Sequence, residues 1–229
     1  MSIVKHSPPL SLNEARSILG DDVLGPEEVS QAFGGAPTEL EITIPFTREA
    51  LITARQCGAM LVLRATRDNQ GRALTILHLL DRCPQAFDAK LLRKAGYQLK
   101  DEWGIALEPL AASDTCDPGW ALVRKDVLED SCNLSYDEQE MAVERFVDLL
   151  GAPARRRTAV EGVYDTLLYF LAHRVRLLER SWDWSNSATL DGGYLNVGGF
   201  SPTGMQILSF SRAIRHGHLG VCPTYQPRT

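Results

Sequence analysis

The chain has 229 residues, 44% hydrophobic and 23% charged, a composition that supports a globular core and excludes general disorder. Its 24 Lys and Arg against 29 Asp and Glu give a formal net charge of −5, so nucleic acid is disfavoured as the main partner, since a polyanion needs a basic surface. No apolar run approaches the ~18–20 residues of a membrane-spanning helix, so membrane insertion is not expected.

Met1 to Pro9 lacks the apolar stretch of a signal peptide, which predicts a cytoplasmic chain. Its cysteines, at positions 57, 83, 116, 132 and 222, are then reduced; their odd count and irregular spacing give neither a disulfide framework nor a metal knuckle. Ser11 to Glu14 has the capping-box pattern and opens a helix to about Leu19, stopped by Gly20. Gly25-Pro26-Glu27-Glu28 starts a second, with Pro at the first helical position. Glu41 to Ile44 alternates up to Pro45 and predicts a short strand, and Thr47 caps a helix to about Gln56. Met60 to Ala65 reads as a buried strand, Asp68 to Gly71 as a turn, and Thr75 to Arg82 and Asp88 to Ala95 as helices.

Lys100 to Glu108 and Trp120 to Arg124 read as strands, and Ser135 to Glu138 as a capping box for a helix ended by Gly151 and Pro153. Arg155-Arg156-Arg157 reads as a solvated linker in preference to a phosphate or membrane patch, because the run is so short. Val160, Val163, Tyr164, Leu167, Leu168, Leu171, Val175 and Leu178 recur at three- and four-residue steps, the apolar face of one long amphipathic helix. From Ser181 the composition shifts to Gly, Ser, Asn, Thr and aromatics. Tyr194 to Val197 and Met205 to Phe210 alternate around Ser201-Pro202-Thr203-Gly204, which predicts a β-hairpin with a four-residue loop. The expected fold class is therefore α+β: a mixed segment over 1–132, a helical segment over 133–180 packing on the core, and a Gly-rich β module over 181–229.

Trp182-Asp183-Trp184-Ser185-Asn186-Ser187, Asp191-Gly192-Gly193, Val197-Gly198-Gly199-Phe200 and Leu219-Gly220-Val221 together resemble the C-type lectin-like fold. More narrowly they resemble the variable proteins of diversity-generating retroelements, a branch related to formylglycine-generating enzymes. The likeness covers about the last fifth of the chain. The closing Leu219-Gly220-Val221-Cys222 lacks that family's aromatic and Arg, and the Arg-Leu-Pro-Thr-Glu-type helix of the enzymatic branch is missing. The resemblance implies a receptor-like scaffold displaying a substitution-tolerant surface to a protein or other macromolecular ligand, without catalysis or cofactor.

Alternation within that frame puts Tyr194, Asn196, Gln206, Leu208 and Phe210 on an exposed face, with Asn186, Ser201, Thr203, Arg212 and His216 on adjoining loops. Tyr gives contact area at low entropy cost, and Ser, Asn and Gly give adaptable hydrogen bonding. The alternative is that this face packs against the long helix or the N-terminal part. Two further readings compete. One is a hydrolytic enzyme using Cys116, or a zinc site of His216, His218 and Cys222. Acids on both sides of Cys116 oppose a reactive thiolate, and no general-base Glu accompanies the histidines, so neither a catalytic residue nor a metal is expected. The other is a structural subunit that forms a homo-oligomer through its hairpin.

Overall fold

The computed structural model describes residues 10–34, 43–88, 104–150 and 154–226. Most elements start where a local signal places them. Ser11 and Glu14 cap one another reciprocally at the head of α1 (Leu12–Leu19), and β1 (Val23–Leu24) leads into α2 (Pro26–Phe33) with Pro26 in its first turn. Thr47 caps α3 (Arg48–Gln56), β2 spans Ala59–Arg64, and Thr75 caps α4 (Ile76–Arg82). α5 (Pro109–Ser113), β3 (Gly119–Arg124), α6 (Glu140–Leu150) and β4 (Arg155–Arg156) follow. Thr158 and Glu161 form a second reciprocal cap on α7 (Ala159–His173). The chain then gives β5 (Trp182–Ala188), β6 (Tyr194–Ser201), β7 (Gly204–Phe210), β8 (Leu219–Gly220) and β9 (Pro223–Tyr225).

Two sheets form among the described residues, ordered β1-β2-β3-β9-β4 and β7-β6-β5-β8. β8 pairs parallel to β5 and β9 pairs antiparallel to β3, so the last strands carry the chain from one sheet into the other. Between the sheets lies α7, which packs on β1 and β2 on one side, on β5 and β6 on the other, and on α2 and α4. A single apolar cluster runs from Leu61 and Val62 through Val163, Leu167 and Leu168 to Leu195, Val197 and Ile207. The architecture is mixed α+β.

Five expectations need correction. α7 is not one-sided: every residue from Ala159 to Tyr169 is buried, Glu161, Asp165 and Thr166 included, because the helix is enclosed by strands and helices. It also ends at His173, where Arg174 adopts the left-handed region at φ 59°, leaving Val175 and Leu178 in the following loop. The arginine triplet is not a solvated linker. Arg155 and Arg156 form the edge strand β4, Arg156 and Arg157 are buried, and all three are ion-paired. Ile105–Leu107 is a 3-10 turn where a strand was expected. Ser135 and Glu138 do bond to each other, but the helix begins later, at Glu140. The strand residues Glu41 and Ile42, the helix beyond Asp88, the residues 100–103, and the terminators Gly151 and Pro153 lie outside the described residues.

Candidate functional site

The four-stranded sheet has two faces set by the two-residue period. Pairing of Asn196 with Trp184 and Leu208, and of Val197 with Asp183 and Ile207, fixes which side chains share a side. Leu195, Val197 and Ile207 join the core beneath. The outer side carries Trp182 and Trp184 from β5, Tyr194 and Asn196 from β6, and Gln206, Leu208 and Phe210 from β7. The hairpin is tighter than expected: Ser201 pairs with Gly204, so only Pro202 and Thr203 form its tip. Gly204 is required there. It sits at φ 115°, and a Cβ would lie 2.1 Å from the carbonyl carbon of Phe87, whose segment bridges to Met205.

The outer face divides into a covered part and an open part. Tyr136, from the segment before α6, lies over the covered part. Its ring stacks on Tyr194 at 4.3 Å and meets Trp184 edge-on at 5.2 Å. Buried Arg156 holds that segment down, donating to the Tyr136 carbonyl at 2.7 Å and the Trp184 carbonyl at 3.0 Å. Arg212 reaches over the Tyr136 and Tyr194 rings and pairs with Asp137. Burial, ahead of the neighbouring charges, pushes the Tyr136 hydroxyl up to about 12.

The open part is a cleft of about 450 Å³ lined by Glu179, Trp182, Gly199, Ser201, Gln206, Leu208, Phe210 and His216. The His216 ring stands edge-on to Trp182 at 6.1 Å. Five of the ten expected surface residues line it: Ser201, Gln206, Leu208, Phe210 and His216. The remainder are dispersed: Thr203 is at the hairpin tip, bonded to Ser201, and Asn186 lines a separate depression with Tyr136, Glu140 and Arg155. Asn196 and Leu208 point to the expected side but are not exposed, because Asn196 is fully buried and Leu208 is 9% accessible. Several polar atoms on this face have no protein partner: the Trp182 and Trp184 indole nitrogens and both amide atoms of Asn196. Buried polar groups are ordinarily paired, so such a concentration on one sheet face is informative.

The catalytic alternatives are not assembled. Cys116 is buried, and its thiol is pushed well above the usual range by burial, against the pull of Arg64. Cys222 is likewise buried, with burial and then Asp183 raising its thiol, while His216 and His218 are exposed at the surface. Among the described residues no group of His, Cys, Asp and Glu is arranged to hold a metal ion.

A second polar constellation lies inside the molecule. Arg64 holds Asp165 through two bonds of 2.7 and 3.0 Å and Glu161 at 2.6 Å; Arg157 bridges Asp165 at 3.2 Å and Asp183 at 2.8 Å. Arg155 closes the chain on Glu161 at 2.6 Å, and Asp183 also accepts the Cys222 amide at 2.7 Å. Burial acts to raise Glu161, but the Arg64 charge and the Arg155 hydrogen bond outweigh it and hold the carboxyl at about 2. For Asp183 burial prevails and its carboxyl is raised. Apart from Arg155, these side chains are inaccessible and mutually satisfied, so the network ties β2, α7, β4 and β5 together and offers no reacting group to a substrate.

Sequence reasoning missed Trp182, Glu179 and Tyr136. Trp182 shares the outward parity of Trp184, a signal that was present but was spent on a scaffold role. Glu179 was assigned to the helix that stops at His173, and Tyr136 was read as part of a cap. A scan against protein-family models, a search of curated proteins and a search of solved structures each return no match to this chain.

Proposed function

We propose that the protein is a ligand-binding protein whose recognition surface is the outer face of the β5–β6–β7 sheet and its adjoining loops, acting without catalysis. The observation that carries this reading is the cleft at Trp182: an aromatic and apolar floor with a few convergent polar groups. Small-molecule sites combine those features, with most of the contact from apolar side chains and orientation from a few polar atoms. The lectin-like resemblance favours the same side of the same strands. It adds that exposed positions such as Thr203 and Arg212 tolerate exchange while Trp184, Gly192 and Gly220 hold the scaffold.

Indole resonances of 15N-labelled protein test the reading, because Trp182, Trp184 and Trp120 report three different environments. Mixtures of small fragments are expected to shift the Trp182 signal, assigned through Trp182→Phe, and to leave Trp120 in place. Fragments that move no indole, or only Trp120, would count against the outer face as the binding surface.

A further inference from the structure

We infer that the cleft takes a small organic cation, an alkylammonium or guanidinium head on a short apolar stem; this deepens, and rests on, the reading of the outer face as a ligand surface. Charge is the deciding feature. Glu179 contributes the one carboxylate of the cleft, is exposed, and makes no ion pair or hydrogen bond among the described residues. No Lys or Arg lines the cleft. The remaining titratable group, His216, accepts the His218 amide on Nδ1 at 3.2 Å. The cleft is therefore formally anionic. Glu179 also lines an adjoining larger groove of about 760 Å³, where Arg176 and Arg180 lie, and it pairs with neither of them.

Shape and chemistry agree with that charge. The Trp182 ring offers a π face, which attracts a cation lying within about 6 Å of its centre. Leu208 and Phe210 give the stem an apolar floor, and the Gln206 amide adds a carbonyl acceptor for the head. A volume of about 450 Å³ falls within the range of small-ligand sites, roughly 300–1,000 Å³. An anion of the same shape would meet Glu179 with no basic side chain in the lining to offset it.

Three probes that differ only at the head separate the possibilities: tyramine, its neutral alcohol 2-(4-hydroxyphenyl)ethanol, and the anion 3-(4-hydroxyphenyl)propanoate. Titration calorimetry on the full chain at pH 7 and low salt gives affinities, and the Trp182 indole resonance reports the place of binding. Tyramine is expected to bind at least tenfold more tightly than the alcohol and to shift Trp182, with the propanoate weakest. Glu179→Gln, at an exposed and unpartnered position, is expected to bring tyramine down to the alcohol's affinity. Equal affinities for amine and alcohol, or an unchanged affinity in Glu179→Gln, overturn the cation assignment; a Trp182 shift in that case still leaves the ligand surface standing. No shift of Trp182 with any of the three probes overturns both.

Discussion

Arg157 sits between two carboxylates, 3.2 Å from Asp165 and 2.8 Å from Asp183, with all three side chains buried. A buried pair is a weak source of net stability, but removing one partner strands the other charge without solvent. Arg157→Leu is therefore expected to cost about 3–5 kcal/mol in urea denaturation. Arg157→Leu/Asp183→Leu should recover at least ~1 kcal/mol of that loss, since the stranded charge goes too. A single variant within ~0.5 kcal/mol of the parent would contradict the network's role.

Glu161 gives the same network a pH signature. Its folded carboxyl is held at about 2 against an ordinary 4.5, so its contribution is complete above about pH 4.5 and is lost as pH falls toward 2. Asp183 works the other way, because its raised carboxyl favours the protonated form. Glu138 is also lowered to about 2, by the Ser135 amide and hydroxyl and then Arg215, and it lies at the surface. Unfolding free energy measured from pH 6 to pH 2 should fall mainly below 4.5, and Glu138→Gln and Asp68→Asn, which remove two other carboxyls held low, should each leave part of that fall. A flat profile over the interval, or one that Glu138→Gln abolishes, would show that Glu161 is not the group responsible.

At the scale of elements, the two turns of the second sheet, β5 to β6 and β6 to β7, depend on glycines for different reasons. Gly204 combines φ 115° with backbone contact to Phe87, whereas Gly192 has φ 82° and open space where its Cβ would be. Gly192→Ala bears only the left-handed cost of about 1–2 kcal/mol. Gly204→Ala must also displace the Phe87 segment from β7, and is expected to cost about 3 kcal/mol or more. Thermal unfolding of the two variants checks the ranking, and equal losses would mean that the contact yields freely. The alternating strands, the capped helices and the hairpin were legible because each is written in neighbouring residues, as with Ser11 and Glu14 or Thr47 and Ala50. The character of α7 was not legible. Its three- and four-residue spacing describes one apolar side, but Glu161 and Asp165 are buried by Arg64, which lies about a hundred residues away in sequence. Local periodicity carries no record of such a partner.

At the scale of the whole molecule, α7 joins the two sheets through one face of each, and the second sheet is left with a side outside the core cluster. Alternation put Gln206, Leu208 and Phe210 on one side of that sheet, and the strand register does the same. It could not tell that Tyr136 would stack on Tyr194 and meet Trp184 edge-on, or that the loop after α7 would bring Glu179 beside Trp182. Those are meetings between segments distant in sequence, and they turn a strand face into a shaped cleft. The arginine triplet was misread for a related reason, since its counter-charges come from α6, α7 and β5.

Crystals soaked singly with a chemically diverse fragment library test the central claim most directly, because every site on the described surface competes under the same conditions. Fragments are expected to gather in the cleft between Trp182, Leu208, Phe210 and His216, with cationic members beside Glu179. Fragments that collect in the larger Arg176–Arg180 groove, while the Trp182 cleft stays empty, would contradict the outer face as the ligand surface.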